Sequence, residues 1–419
     1  VYVPSYYKVH YNANGTFHKL EPVKQGAPEI VYKRVVADLD KAEFPEKFVV
    51  PYIDVVHDRV MVEVFRGCTR GCRFCQAGMI YRPVRERKLT TLKKQIRTLV
   101  EATGYDEISL TSLSSGDYTC IEPLISDVIE EYKDQGVAVS LPSLRLDSFS
   151  PALAEEIQRS RKTGLTFAPE AGTQRLRDVI NKNVSEDDLY EVVKGAFQAG
   201  WYSVKLYFMI GLPTETEEDL DGIVELAQNV LEIGRKHGTG ARRPEVTISV
   251  SSFVPKPHTP FQWEGQDSME TLRAKQNYLR DRLRQRGMRF TYPRVEESFL
   301  EAVFAKGDRR LGPVLARAVE LGCRFDGWSD HFQYQLWMKA FADCNVDPHW
   351  YANRAVALDE TLSWEHLSPG VSRRFLLQER DAALGGRTTP DCRFDVCSGC
   401  NGCPQLKVAS CLSEEGARV

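Results

Sequence analysis

The sequence predicts an α/β protein whose central strands run parallel, and three observations support this. Between about residues 59 and 289 there are six apolar, β-branched stretches, and each of the last five is followed by a helical stretch. The helical stretches open on capping residues and stop at glycine, while the apolar stretches are continuous. Strands that alternate with helices pair in parallel through right-handed crossovers and are buried on both faces. The pattern fits an open sheet or a partial barrel, and in both the chemistry lies beyond the carboxyl ends of the strands.

The predicted elements follow one another in order. The strands are RVMVEVF (59–65), EISLTSL (107–113), VAVSLPSL (137–144), LTFAP (165–169), SVKLYFMIG (203–211) and EVTISVSSFV (245–254). The cysteine loop follows the first strand, and helices are predicted after the others at 121–136, 150–164, 185–200, 214–236 and 268–287. Ser150 before Pro151 illustrates such a helix start, with a capping hydroxyl followed by proline at the first helical position.

Four segments are expected along the chain. They are a Pro- and Tyr-rich irregular lead-in with short extended pieces (1–58), the strand–helix region (59–290), amphipathic helices (291–385, chiefly 297–322 and 329–345), and a Gly- and Cys-rich end without helical period (386–419). Because the sequence starts without methionine, we also expect a preceding segment and read the lead-in as a linker from it.

Composition narrows the class of protein. The chain has 419 residues, of which 42% are apolar and 27% are charged, and its formal charge of −3 gives no overall attraction to nucleic acid or to anionic membrane. No apolar run approaches the ~20 residues of a membrane helix. Seven of the eleven cysteines fall in two tight clusters. Clustered thiols in a large charged chain indicate a metal-binding protein of the reducing cytoplasm.

The first cluster is the stretch EVFRGCTRGCRFCQAG, which contains Cys68, Cys72 and Cys75. A structural zinc site takes four ligands and a 4Fe-4S cluster normally takes four cysteines, so three thiolates leave one metal position open. The next cysteine, Cys120, comes only after the second strand. Intervening glycines let the backbone wrap closely, and the arginines favour an anionic centre. The alternatives are an incidental group of thiols and a zinc site completed from elsewhere.

The second cluster, TPDCRFDVCSGCNGCPQ, spaces its cysteines as C-x4-C-x2-C-x2-C. The four candidate ligands are Cys392, Cys397, Cys400 and Cys403. Zinc and iron–sulfur clusters both accept four thiolates, but the short spacings and the following proline favour an iron–sulfur cluster over a zinc knuckle. Cys411 is either a spare thiol or an alternative ligand.

The Cys-x3-Cys-x2-Cys loop after the first of six strand–helix units, with aromatic Phe74 before its third cysteine, resembles the radical S-adenosylmethionine (SAM) superfamily. The resemblance implies a partial (βα)6 barrel of the TIM-barrel kind. It also implies a 4Fe-4S cluster on Cys68, Cys72 and Cys75, with SAM on the open iron. Such enzymes take one electron from a low-potential donor such as flavodoxin or ferredoxin, and they cleave SAM to a 5′-deoxyadenosyl radical.

The resemblance extends to the later strand ends and suggests further SAM contacts. Ser115, Gly116 and Asp117 occupy the position of the family's turn for the SAM amino group, although the family's Gly-Gly-Glu is absent here. The remaining contacts that the resemblance implies are Glu170 for the ribose, Arg175, Arg177 and Lys182 for the carboxylate, Gly211 for the adenine, and FVPKPHTPFQW (253–263) for the adenine edge. Arg145 and Asp147 beyond the third strand are candidates for SAM or substrate contacts.

A narrower resemblance covers nearly the whole chain. The stretches GCTRGCRFCQAGMIYRPVRER, SLPSLRLDSF, TFAPEAGTQRLRDVINK, KLYFMIGLPTET and FVPKPHTPFQW are similar to a bacterial group whose members carry a cobalamin-binding domain ahead of the radical SAM domain. That resemblance implies cobalamin-assisted methyl or alkyl transfer to an unidentified substrate, although no cobalamin-binding motif is visible in this sequence. The alternatives are methylthiotransferase-like modification of RNA or protein, a non-catalytic iron–sulfur electron carrier, and a zinc-stabilised binding module.

Overall fold

The structure is a computed structural model that describes residues 1–53, 55–140, 165–239 and 242–409. Along these residues the strands are β1 (Tyr7–Tyr11), β2 (Phe17–Pro22), β3 (Val31–Tyr32), β4 (Val60–Glu63), β5 (Phe65–Arg66), β6 (Arg85–Glu86), β7 (Glu107–Thr111), β8 (Ala138–Ser140), β9 (Leu165–Glu170), β10 (Ser203–Ile210), β11 (Glu245–Ser252), β12 (Met288–Thr291) and β13 (Leu367–Ser368). The α-helices are α1 (Gln76–Ile80), α2 (Leu89–Thr103), α3 (Ile121–Tyr132), α4 (Gln174–Val179), α5 (Glu186–Gln198), α6 (Glu217–His237), α7 (Met269–Arg282), α8 (Val295–Ala305), α9 (Leu311–Leu321), α10 (Tyr334–Asp343), α11 (Pro348–Ala352), α12 (Arg373–Leu384) and α13 (Gly402–Leu406).

Parallel sheets form the centre of the strand–helix region, as the sequence predicts. β4, β7 and β8 lie side by side in that order, with Val60 opposite Ile108. β9, β10, β11 and β12 form a second parallel sheet in which Leu206 lies between Phe167 and Ile248. The α/β class with parallel strands is therefore confirmed. The predicted helix at 150–164 and the end of the third predicted strand lie outside the described residues.

β9, β10 and β11 each bury one face against the helices, while the other face carries polar or partly exposed side chains such as Lys205 and Tyr207 of β10. The prediction of strands apolar on both faces is therefore wrong for this sheet. Val204, Leu206 and Phe208 of β10 are each at most 1% exposed, and they pack in one cluster with Phe197 of α5 and Leu226 of α6. Burial of this extent holds the sheet rigid. The loops at the carboxyl ends of the strands consequently start from fixed positions.

Two of the elements that the sequence pattern does not anticipate are α2 and β12. Helix α2 follows the cysteine loop, and no side chain caps its first turn at Lys88, so the start signal is missing. Strand β12 is only four residues long and adds a further parallel strand beside β11, with Val246 opposite Met288. It begins directly after Gly287, whose φ of 95° ends the preceding segment in a turn. Short edge strands carry little hydrophobic pattern, so the sequence does not reveal this one.

The first and last parts of the chain pack together. The short extended pieces of the lead-in are the antiparallel pair β1 and β2 and the strand β3, which pairs with β13 through Val31 and Leu367. The amphipathic stretch 297–322 forms two helices, α8 and α9, and the stretch 329–345 forms α10. Within the part of the chain that the structure describes, no helix combines the length and the apolar character that crossing a membrane requires.

Candidate active site

The cysteine loop lies between β5 and α1, beyond the carboxyl end of β4. Its three thiols, those of Cys68, Cys72 and Cys75, are all partly buried. Gly67 adopts a φ of 102°, and a Cβ there would lie 2.6 Å from the carbonyl oxygen of Pro83. Gly71 adopts a φ of 78°, also in the region that favours glycine. The glycines thus allow the loop to fold tightly against the residues that support it.

The three thiols lie close enough to act on one another electrostatically. Burial raises the pKa of Cys68 to about 12, and the neighbouring thiols of Cys72 and Cys75 add to the rise. Burial and Cys72 also raise the pKa of Cys75, although the Gly78 amide donates to its Sγ at 3.3 Å. Three thiolates at this position therefore require a cation to balance their charge.

The donor set fits the cluster that the sequence leads us to expect. Thiolates are the ligands that iron–sulfur clusters take, and three of them share one glycine-lined loop. In the described ranges, no three side chains of His, Cys, Asp or Glu are already arranged as a metal site. The loop thus supplies the ligands and the space, and binding would draw the thiolates together.

The turn after β7 reaches the cysteine loop. Residues Ser115–Asp117 form a 3-10 turn, and the buried Ser115 hydroxyl donates to the carbonyl of Leu110 at 2.9 Å. Asp117 accepts from Arg70 through both carboxylate oxygens, one of them at 3.0 Å. Asp117 also contributes to the raised pKa of Cys68, so it lies near that thiol. The sequence placed this carboxylate at a SAM ammonium, whereas in this structure it forms an ion pair with Arg70.

Glu170 and Lys182 meet beside Cys75. The Nζ of Lys182 lies 3.1 Å from Oε1 of Glu170, and both side chains are mostly buried. Both residues act on the pKa of Cys75, which Lys182 lowers and Glu170 raises. Glu170 ends β9 with a φ of 71°, a conformation that a glutamate rarely adopts. The structure therefore brings the predicted ribose and carboxylate contacts together at the cysteine loop.

Arg175 and Arg177 hold other parts of the fold. Arg175 donates to the carbonyl of Thr214 at 2.9 Å and to the carboxylate of Asp219 at the start of α6. Arg177 is buried and pairs with Glu186 at 2.9 Å. Of the three basic residues predicted for the SAM carboxylate, Lys182 is the one placed beside Cys75.

The other predicted contacts lie at the ends of β10 and β11. The amide of Gly211 donates to the carboxylate of Glu215 at 2.9 Å, and its φ of 78° suits glycine. Phe74 packs against an apolar cluster that contains Leu212 from the loop after β10 and Phe253 from the end of β11. Phe74 therefore links the cysteine loop to the fifth and sixth predicted strand ends.

A cavity of about 530 Å³ opens at the carboxyl ends of β4 and β7. Gly67 of the cysteine loop, Thr111 at the end of β7, and Tyr81 line it. The Glu63–Arg66 ion pair adds charge to an otherwise largely apolar wall. A volume of this size suits a small-molecule ligand.

The C-terminal cysteines pack against the same region. Cys400 is buried, Cys392 and Cys403 are partly buried, and Cys397 is exposed. Burial raises the pKa of Cys392 to about 12, Arg82 opposes that rise, and the thiols of Cys400 and Cys397 add to it. Cys411, like Arg145 and Asp147, lies outside the described residues.

Two residues that sequence reasoning missed join the C-terminal segment to the cysteine loop. Asn181 donates to the carbonyl of Thr389 at 3.0 Å, and its Oδ1 accepts from the Thr389 amide at 2.8 Å. Arg393 donates to the carbonyl of Asp117 at 2.7 Å. Asn181 adopts a positive φ of 53°. Asn is among the few residues that adopt this conformation, so its residue type is the one sequence feature that agrees with its position.

A third residue, Arg73, is wholly buried and holds the same junction. Its Nε lies 3.0 Å from Glu379 of α12, and its Nη2 donates to the carbonyl of Arg387 at 2.7 Å. The sequence predicted that the arginines of the loop would favour an anionic centre. This one instead binds a carboxylate of the C-terminal region.

Comparison with known proteins agrees with this geometry. The family model described as Radical SAM superfamily matches residues 62–227. The protein MJ0966 of Methanocaldococcus jannaschii is 36% identical over 255 residues, which are 61% of this chain and 53% of that protein. The tRNA-2-methylthio-N(6)-dimethylallyladenosine synthase of Clostridium tetani is 23% identical over 181 residues, 41% of this chain and 40% of that protein. This chain thus spans about half the length of the curated relatives it matches.

Among solved structures, the radical SAM methyltransferase TsrM of Kitasatospora setae, solved with cobalamin and a 4Fe-4S cluster, is 12% identical. The match covers 46% of this chain and 36% of TsrM, with a TM-score of 0.37. The match of residues 62–227 to the family model begins in the strand that leads into the three-cysteine loop. The chain therefore contains a radical SAM domain over residues 62–227.

Proposed function

We propose that this chain reductively cleaves SAM at a 4Fe-4S cluster on Cys68, Cys72 and Cys75 and directs the radical to a substrate. The observation that carries the proposal is the position of the three interacting thiols. They share one loop beyond the first parallel strand, beside the Glu170–Lys182 pair. The family implies the cluster and SAM, and the donor set fits them.

The residues of this chain have definable tasks in such a reaction. When bound, the cluster supplies one electron and an open iron for SAM. Lys182, a mostly buried cation, would attract the SAM carboxylate, and Glu170 would accept hydrogen bonds from the ribose hydroxyls. Phe74 and its apolar neighbours keep water away from the loop, which strengthens these charged contacts.

Loss of one loop thiol tests this proposal. Anaerobically reconstituted, dithionite-reduced protein is given SAM, and 5′-deoxyadenosine and the EPR spectrum with and without SAM are recorded. We expect wild type to form deoxyadenosine and Cys72→Ala to lose it, because two thiolates do not hold the cluster. Cys344→Ala, which removes the thiol at the end of α10, should keep wild-type turnover. Near-normal turnover in Cys72→Ala would contradict the assignment, and intact clusters without a SAM response would favour the electron-carrier alternative.

We further propose that Cys392, Cys397, Cys400 and Cys403 hold a second iron–sulfur cluster. Four thiolates within twelve residues support it, as do the interacting pKa values of Cys392, Cys397 and Cys400. Changing Cys397 and Cys400 together to Ala should lower the iron content by one cluster, with the iron of the first site retained. Unchanged iron accompanied by loss of zinc would instead identify a zinc knuckle.

For the reaction itself we propose methyl or alkyl transfer assisted by cobalamin, in the cytoplasm, with flavodoxin or ferredoxin as the electron donor. The resemblance of five sequence stretches to cobalamin-associated radical SAM proteins supports it. The methylthio-tRNA synthase among the relatives favours a second candidate, modification of RNA or protein by a methylthio group. An assay with methyl-labelled SAM, added cobalamin and bulk tRNA distinguishes the two candidates. Label on cobalamin favours cobalamin-assisted transfer. Label together with newly incorporated sulfur in tRNA favours methylthio modification.

A further inference from the structure

Arg82 lies between the two cysteine sites. Its side chain is buried, with 3% of its surface exposed. The Nε donates to the carbonyl of Gly78 at 3.0 Å, and the Nη2 donates to the carbonyl of Thr69 at 3.4 Å. Thr69 and Gly78 flank the loop cysteines, so the guanidinium is fixed against the first cysteine site.

The other side of Arg82 faces the C-terminal cysteines. A Cβ on Gly402 would lie 3.6 Å from Cβ of Arg82 and 3.7 Å from Sγ of Cys400. The guanidinium also lies 5.6 Å from the ring centre of Phe375, which packs in one apolar cluster with Cys400 and with Met79 of α1. The two cysteine sites are therefore neighbours, and Arg82 is a buried cation between them.

The surroundings of Arg82 lack the usual partner for a buried guanidinium. Among the described residues no carboxylate pairs with it, and its Nη1 has no hydrogen-bond partner. A buried cation without a counter-charge is costly. The nearby counter-charges are thiolates, because Arg82 and the Sγ of Cys400 lie against the same Gly402, and the loop cysteines adjoin the carbonyls that Arg82 binds.

We propose that Arg82 is a positioning residue whose single positive charge sets the reduction potentials of both cysteine sites. This inference rests on the proposed function, since it requires an iron–sulfur cluster at each site. A fixed cation in a medium of low dielectric stabilises the more negative, reduced form of a neighbouring cluster. Removal of the charge should make both sites harder to reduce, whereas a residue that served only one site would shift only one.

The test compares Arg82→Gln, Arg82→Lys and wild type after anaerobic reconstitution. Iron and sulfide content are measured, and an EPR-monitored redox titration gives a midpoint for each cluster. Arg87→Gln is the matched control, because Arg87 is also buried but donates to the carbonyls of Glu63 and Leu39. Variants that lack either the loop cysteines or the C-terminal cysteines assign each signal to its site.

We expect Arg82→Gln to load both clusters and to lower the reduction equilibrium constant of each at least tenfold, about 59 mV for a one-electron couple. Arg82→Lys, which keeps the charge, and Arg87→Gln should retain the wild-type midpoints. Unchanged midpoints in loaded Arg82→Gln would overturn the proposal, and so would a shift confined to one site. If Arg82→Gln does not take up the clusters, Arg82→Lys decides the question. Wild-type midpoint potentials in Arg82→Lys would support a role for the positive charge. Loss of iron in Arg82→Lys as well would overturn the proposal in favour of a structural role.

Failure of the proposed function would look different. Wild type that cleaves no SAM while both midpoints shift in Arg82→Gln would refute the SAM chemistry and leave this inference standing. Zinc in the C-terminal site of wild type would overturn the inference, whether or not SAM is cleaved.

Discussion

Glu170 has a backbone conformation that only its surroundings can explain. Its φ of 71° lies in the left-handed region, where a side chain with a Cβ costs roughly 1–2 kcal/mol. The strained residue is the one that meets Lys182 next to Cys75. Strain at a residue of this kind is characteristic of binding and catalytic sites, where a required side-chain position outweighs the cost.

A Glu170→Gly substitution separates strain from function. Glycine adopts this φ freely, so relief of about 1 kcal/mol offsets the greater freedom of unfolded glycine, while loss of the ion pair with the mostly buried Lys182 should lower stability in urea. SAM affinity should fall roughly tenfold, about 1.4 kcal/mol, because a charged hydrogen-bond acceptor is lost. Equilibrium binding of SAM to reconstituted protein measures this. Wild-type SAM affinity in Glu170→Gly would exclude Glu170 from the SAM site. If Glu170→Gly instead loses iron along with its SAM affinity, the result would indicate only that the cysteine loop is damaged.

At the residue scale, the sequence located the residues of the candidate site better than it predicted the side chains they contact. Cys68, Cys72, Cys75, Glu170 and Lys182 are located by their order behind successive strands, because parallel strands bring their carboxyl ends to one edge. The ion pair of Arg70 with Asp117 was not foreseen, since several acids could have met that arginine. Arginine pairing depends on side-chain directions that only packing fixes.

At the scale of elements, two backbones touch where the loop after β9 meets α6. A Cβ on Gly222 would lie 2.7 Å from the carbonyl oxygen of Gly172, and a Cβ on Gly172 would lie 2.1 Å from that of Asp219. This contact sets how close the helix lies to the segment that carries Glu170. Glycine at both positions is therefore a packing requirement, independent of any need for an unusual φ.

Gly222→Ala should destabilise the protein by about 1–3 kcal/mol. The added methyl group clashes with backbone atoms of the loop after β9, and backbone atoms cannot rotate away as a flexible side chain can. Gly195→Ala in α5 is the control, since nothing lies within 4 Å of its Cβ position. That substitution should stabilise by roughly 0.5–1 kcal/mol through helix propensity. Urea denaturation of both variants measures the difference, and a stable Gly222→Ala would show that the helix can move away from the loop.

The sequence placed an element correctly where a long stretch of regularly spaced apolar residues had clear end signals, and it missed elements that lacked one of the two. β10 and α6 carry many apolar residues at regular spacing, and both lie where the pattern places them. α2 has fifteen residues with regular apolar spacing, but no capping side chain marks its start, whereas β12 has only four residues. The stretch 297–322 was also not divided, although KGDRR (306–310) interrupts its apolar spacing between α8 and α9.

At the scale of the whole molecule, the C-terminal region makes buried contacts with the cysteine loop and with the segment after β9. Arg73 of the cysteine loop and Glu379 of α12 form a buried ion pair, although 306 residues separate them. Asn181 and Thr389 add paired hydrogen bonds across the same junction. No local pattern predicts such contacts, so the sequence described separate segments where the structure joins them.

Arg73→Met should cost about 3–5 kcal/mol, because it leaves the buried Glu379 carboxylate without its counter-charge and with the Thr389 hydroxyl as its remaining donor. The double variant Arg73→Met/Glu379→Met should recover most of that loss. Arg97→Met, which breaks an exposed pair with Glu131, should cost less than about 1 kcal/mol. Urea unfolding should remain a single transition in all of them, and a second transition that alone responds to Arg73→Met would show that the C-terminal region folds independently.

The Arg73 contacts also bear on when the first cysteine site can mature. Ribosomes release a chain from its amino end, so Cys68, Cys72 and Cys75 emerge long before Glu379 and Arg387, to which Arg73 is bonded. Until α12 has been synthesised, Arg73 can bind the carbonyls of Asp178 and Val179 but not Glu379 or Arg387. We therefore expect the proposed cluster to be held in its final environment only after translation, when the C-terminal region has packed against the loop.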